Sequence, residues 1–284
     1  MSWDYGNARV SALRGRLLDP VALRRIASAS SASAILDVLH GQEDWRSIVR
    51  EALTTERDKT TAARVAVERH LGLRLGRLPT FFPSPERELV EALVLPLDRE
   101  RILDLVACRR AAESVEAVEA SIVPGALVGS AELAVLARAE TLATFARGLV
   151  PLGLLLAVDA LRVAELPLDP PAETVDAILL EGMESARAAR VRGHDREAMR
   201  VTAIVEAERA DLEAVRRARE AHLPQADLIR RATVLARLDR LAREDRADPT
   251  GVGMVAGHVA GLEAEALRLR TRLAELAERA HSAV

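Results

Sequence analysis

Residues 113–139 read ESVEAVEASIVPGALVGSAELAVLARA, and residues 210–238 read ADLEAVRRAREAHLPQADLIRRATVLARL. Each opens on an amphipathic run, Val-Glu-Ala-Val at 115–118 or Leu-Glu-Ala-Val at 212–215. Each then reaches an apolar residue and a proline, Val123-Pro124 or Leu223-Pro224, turns, and closes on Leu-Ala-Arg. The second copy carries three extra residues before its proline. Self-similarity at long period marks one supersecondary unit used more than once. The unit here is helix, proline-marked turn, helix, so the duplication speaks first to architecture.

The rest of the chain agrees. Of 284 residues 49% are apolar, yet only 2% are aromatic. Ala, Leu, Arg and Glu dominate and favour helices, while β-branched and aromatic strand formers are sparse. No alternating apolar pattern bounded by hairpin turns occurs. The composition therefore predicts an all-α protein.

Punctuation divides the helices. A first helix is expected over Tyr5–Leu18, and Asp19-Pro20 supplies a cap and first-turn proline for the next. Another begins at Ser33 and stops at Gly41. Helical stretches follow from Asp44 to Arg77, with Trp45, Ile48, Val49 and Leu53 on one face. The run Leu78–Pro85 (LPTFFPSP) cannot be helical throughout and reads as a linker or elbow. Further helices are expected at 86–95, 98–122, 130–148, 151–164, 172–192, 195–222, 226–246 and 252–281. In the last one Leu262, Ala266, Leu269, Leu273, Leu276 and Ala280 form an a/d-type seam. That seam can pack on the protein itself or meet a partner helix.

Several function classes find no support. Lys59 is the sole lysine, which excludes a P-loop and disfavours Schiff-base chemistry. The glycines at 251, 253 and 257 follow no strand and lack G-x-G-x-x-G spacing, so they read as a helix start with close packing. His40, His70, His194, His222, His258 and His281 show no metal-ligand spacing, and Cys108 is the only cysteine. Cys108 reads as a small buried apolar residue in a reducing compartment. Acidic pairs such as Glu43-Asp44, Glu206/Glu208 and Glu244-Asp245 read as helix-surface charges or ion-pair partners. No catalytic residue, cofactor or metal is expected. A net charge of −3 gives no wholesale attraction to nucleic acid, although residues 1–80 hold thirteen Lys/Arg against nine Asp/Glu. Met1–Val10 has no signal-peptide core, and Leu149–Val158 is far shorter than the ~20 apolar residues of a membrane span.

Three stretches carry a family resemblance. Tyr5-Gly6-Asn7-Ala8-Arg9-Val10, running on to Arg14-Gly15-Arg16-Leu17-Leu18, resembles the opening of the C-type subunit of the V/A-type rotary ATPases, whose eukaryotic counterpart is the d-type subunit. Leu97–Ala111 followed by Val118–Leu127 is similar to that family's acidic residue, helix, arginine, helix and proline–glycine turn. Glu263–Arg270 (EAEALRLR) is similar to its closing helix, with Ala266 where the family has asparagine. The corresponding position of the middle repeat is Ile102, and aromatics are fewer than usual.

The resemblance implies one helical subunit over 1–284, built as three similar lobes in a funnel-shaped, pseudo-threefold arrangement. The repeats would lie near 86–165, 166–250, and the two ends 1–80 with 251–284. It also implies a non-catalytic connector at the cytoplasmic face of the membrane. Its partners would be the proteolipid ring and central-stalk subunits of the D/F type, with no nucleic acid. Tyr5, Asn7, Arg9, Arg14, Arg16, Arg268 and Arg270 are the candidate partner contacts. The reading from a different class is a free-standing coiled-coil adaptor using the 262–280 seam.

The seam itself is testable. Packed inward, Leu269 should cost about 2–5 kcal/mol when truncated to alanine. A urea unfolding curve for Leu269→Ala superimposable on wild type would place it on the surface.

Overall fold

A computed structural model describes residues 2–111, 114–167, 170–191, 193, 195–221 and 226–282. Among them the secondary structure is entirely helical, as the composition predicts. Helices α1 (Ser2–Arg14), α2 (Pro20–Ser28), α3 (Ala32–His40), α4 (Glu43–Thr55) and α5 (Lys59–Arg77) lead to a 3-10 turn at Pro79–Phe81. Then come α6 (Glu86–Arg110), α7 (Val115–Ser121), α8 (Ser130–Ala137), α9 (Leu142–Leu149) and α10 (Ala157–Ala164). The chain continues through α11 (Ala172–Arg190), α12 (Arg196–Glu220), α13 (Ala226–Ala247) and α14 (Val252–Ser282).

Short polar side chains set many boundaries. Asp19, Ser31, Asp58, Ser114 and Thr141 each accept a backbone N–H three residues on, meeting a donor the first turn leaves free. These caps correct several expected helices. The stretch 98–122 is not continuous, because α6 ends at Arg110 and Ser114 caps α7. The expected helix 130–148 breaks between Ala137 and Thr141, where Thr141 starts α9. Residues 151–156 form turns instead of helix, with Gly153 at a φ of 67° that suits glycine. The first helix stops at Arg14, short of Leu18. The Leu223-Pro224 turn of the second repeat copy lies outside the described residues.

Two apolar clusters form the interior. The first joins α1–α5, the N-terminal half of α6, the start of α12, and α14, with Trp45, Leu75, Phe82, Val255 and Leu269 inside it. Opposite ends of the chain thus share one core, and α14 packs against α1, α2, α5 and α13. The second cluster joins the C-terminal half of α6 to α7–α11, around Ile102, Phe145, Leu149 and Leu179. Leu262, Ala266, Leu269 and Leu273 of the α14 seam are buried in the first cluster, so this surface is turned toward the protein's own core. Cys108 is only half-buried, against expectation, because it packs at the edge of the second cluster beside a small open cavity.

Helix α6 runs through both clusters without the break expected near Pro96. Proline inside a helix removes the N–H that would bond the carbonyl four residues earlier, here Ala92. That oxygen instead accepts from Arg187 Nε of α11 at 2.7 Å. The adjacent Leu93 carbonyl accepts from Arg237 Nη2 of α13 at 2.9 Å. Both guanidiniums meet Glu208 of α12, with Arg187 at 2.7 Å. Arg237 also pairs with Glu263 of α14 at 2.8 Å, and Arg187 with Glu184, which in turn binds Arg99 of α6. Nearby, Glu68 of α5 takes two hydrogen bonds from Arg270 of α14, one at 2.6 Å, and one from Arg101 of α6.

These are buried charges. Arg187 has no exposure and Glu208 only 5%. Burial alone pushes the Glu208 carboxyl upward, but Arg237 and Arg187 together hold it below its ordinary value. Glu68 behaves likewise under Arg270 and Arg101. Removing one partner of such a set leaves an uncompensated charge and costs about 3–5 kcal/mol. Urea unfolding of Glu208→Ala should show a loss of that order. Glu213→Ala, which removes the half-exposed partner of Arg216, should lose far less, because solvent screens an exposed pair. Equal losses would refute the special standing of the buried set.

Candidate functional site

The seven residues singled out by the resemblance divide into an inner and an outer group. On the inner face of α1, Asn7 is buried and its Nδ2 donates to the carbonyls of Thr250 and Gly251, the latter at 3.2 Å. One residue earlier, Gly6 lets the Phe82 ring approach so closely that a Cβ would lie 2.0 Å from it. Arg14 pairs with Asp245 at 2.6 Å and donates to the Met254 carbonyl at 3.2 Å. Arg16 pairs with Asp44 at 3.2 Å, and Arg270 holds Glu68. All four side chains fasten one part of the helical body to another, Arg16 doing so from an exposed position.

Tyr5, Arg9 and Arg268 form the outer group and are exposed. The Arg9 guanidinium lies 4.6 Å above the Tyr5 ring and 5.4 Å from that of Phe81. Trp3 packs behind them on Phe82, centroids 5.1 Å apart. The run Leu78–Pro85 is accordingly an elbow packed into the body, since its 3-10 turn rests on α1, α5 and α6.

The middle motif closes on itself. Asp98, two residues past Pro96, accepts from the backbone N–H of Leu127 and Val128 at 2.9 Å each. Gly125 is required there, because a Cβ would fall 2.1 Å from Asp98 Oδ1. On the other side the Pro124 and Ala126 carbonyls press against Gly72 and Gly76 of α5, where a Cβ would meet them at 2.4 and 2.5 Å. The proline–glycine turn thereby ties the second cluster to the first.

Among the described residues no group of three His, Cys, Asp or Glu could hold a metal ion. His70 stacks on Trp45 at 3.7 Å, and His258 is wholly buried on α14. His194 and His222 lie outside the described residues, while Asp195 caps α12 by accepting from Ala198 N at 2.7 Å. A cavity of about 70 Å³ beside Arg101, Asp104 and Cys108 is small against the ~300–1,000 Å³ of ligand pockets. The glycines at the start of α14 serve packing: a Cβ on Gly253 would lie 2.2 Å from the Asp248 carbonyl. Glu208, read from the sequence as a helix-surface charge or ion-pair partner, is a buried ion-pair partner, whereas Arg187 and Arg237, which hold it, carried no role in that reading.

An all-helical scaffold whose polar side chains chiefly join helix to helix is the class these features define. The chain belongs to the ATP synthase (C/AC39) subunit family, whose model matches residues 6–248. It is thus a V/A-type ATPase subunit, of a family whose members are non-catalytic. The match takes in most of the Tyr5–Leu18 motif and all of Leu97–Leu127, and stops before the Glu263–Arg270 helix. No curated protein matches the chain. No helix among the described residues is long and apolar enough to cross a membrane.

Asp98 supplies a pH test of the turn. Burial raises its carboxyl from 3.8 to about 6, against the hydrogen bonds from Val128 and Leu127 that favour ionisation. The native state therefore keeps this proton to higher pH than the unfolded chain. The stability it brings is complete below about pH 4 and is lost as pH rises to about 6. The unfolding free energy of wild type minus that of Asp98→Asn should fall by on the order of 2–3 kcal/mol between pH 4 and 7. A difference flat across that range would contradict the assignment.

Proposed function

We propose that this chain is the central-rotor connector of its ATPase, seated between the membrane proteolipid ring and central-stalk subunits of the D/F type on the cytoplasmic side. It would pass rotation between them and so couple ion transport to ATP hydrolysis or synthesis. The observation that carries this reading is the family match over residues 6–248. The internal similarity of 113–139 and 210–238 supports the accompanying view of three related lobes, drawn from about 86–165, 166–250, and the two ends 1–80 with 251–284, arranged as a funnel.

The physics of the body suits the task. One elementary charge crossing the membrane is worth about 2.3 kcal/mol per 100 mV. An exposed ion pair contributes only ~0–1 kcal/mol, so a joint that transmits several such steps needs a broad contact on a stiff support. Stiffness here has a structural source, because a connected set of buried ion pairs spans α6, α11, α12, α13 and α14.

Affinity purification of the tagged chain from its native membranes tests the reading. The proteolipid ring and a coiled-coil stalk protein should co-purify, and the isolated chain should show no ATP turnover. A chain recovered alone from intact complexes would refute the connector role.

A further inference from the structure

Four of the six Trp, Tyr and Phe residues in the chain, Trp3, Tyr5, Phe81 and Phe82, gather where α1 meets the 3-10 turn. The packing of the core accounts for Phe82 and the half-buried Trp3 but not for Tyr5, which is 61% exposed. Nor does it account for Arg9, whose guanidinium lies on the Tyr5 and Phe81 rings and which has no carboxylate within ion-pair distance among the described residues. A guanidinium stacked by its face keeps its N–H edge free for two parallel bonds to a carboxylate.

The group is also held still. Asn7, Arg14 and the Gly6–Phe82 contact fasten the inner face of α1, so the outer face is presented with little freedom to lose on binding. Trp, Tyr and Arg are the residue types that dominate binding energy at protein interfaces. A membrane surface fits the patch poorly. Attraction to anionic lipid takes clusters of about 4–8 Lys/Arg, whereas α1 carries only Arg9 and Arg14 along with Asp4, and Arg14 is already paired with Asp245.

We propose that Tyr5, Arg9 and Phe81 form a docking surface for an acidic protein segment of the same complex. Arg9 takes the segment's carboxylate, and the rings take a neighbouring apolar side chain. The proposal rests on the connector reading, and its test separates the two. Membranes bearing the rotary ATPase but deleted for this chain are titrated with the purified full-length protein as wild type, Tyr5→Ala, Arg9→Glu, Arg9→Lys and Arg50→Glu. Arg50 is an exposed residue on α4 outside the patch. Tyr5→Ala and Arg9→Glu should each raise the apparent Kd at least tenfold, with Arg9→Lys in between and Arg50→Glu unchanged. All variants should keep the wild-type Tm, since the altered side chains are exposed.

If wild type and Arg9→Glu bind equally, the docking surface is refuted while the connector reading stands. If wild type does not bind at all, both fall. Wild-type binding to phosphatidylglycerol vesicles that Arg9→Glu abolishes would assign the patch to lipid and overturn the proposal. A change of oligomeric state in Arg9→Glu, read by light scattering, would assign it to a second copy of the chain and overturn it equally.

Discussion

A single missing N–H, that of Pro96, organises the middle of this molecule. Helix α6 must cross between two apolar clusters, and at the crossing the Ala92 carbonyl has lost its helical donor. Water cannot serve a carbonyl in the core, where an unsatisfied acceptor costs about 1–3 kcal/mol. Arg187 supplies the bond from α11, and Arg237 binds the next carbonyl from α13. Once two guanidiniums are buried they need carboxylates, and Glu208, Glu184 and Glu263 provide them from α12, α11 and α14. The network follows from a local backbone defect, each charge being required by the one before it.

That chain of requirements has a mechanical consequence. Apolar packing is non-directional, so helices rich in Leu and Ala can slide past one another at modest cost. Hydrogen-bonded ion pairs fix distance and angle, and in a dry interior they cannot exchange partners with water. The Asp98–turn contact and the Gly72/Gly76 approach do the same for the joint between the two clusters. The connector role proposed above needs such fixed geometry more than it needs a pocket.

Much of the fold was legible in the sequence because it depends on local rules. Helix class came from composition, several boundaries from capping residues and proline, and the α14 seam from the spacing of Leu262, Ala266, Leu269 and Leu273. The misses arose where tertiary partners overrode those rules. Pro96 reads as a break, and only Arg187 and Arg237, distant in sequence, make continuity possible. A signal for them did exist. Arg187 falls four residues after Met183 on the apolar stripe of α11, and Glu208 continues the Val201, Ile204 and Val205 stripe of α12. A charge within an apolar stripe implies a buried partner, though the sequence does not name it. Among the candidate contacts, which arginines were tied to the body depended on Asp44, Asp245 and Glu68, far apart in the chain.

If the Pro96 crossing is what joins the helices, α6, α11, α12, α13 and α14 open as one unit. Native-state hydrogen exchange across a denaturant series measures that directly. Core amides of these five helices should share one opening free energy, close to that of global unfolding. Exchange of α12 and α13 through a separate opening several kcal/mol lower would show that the network does not join them, and would contradict the central role of the crossing.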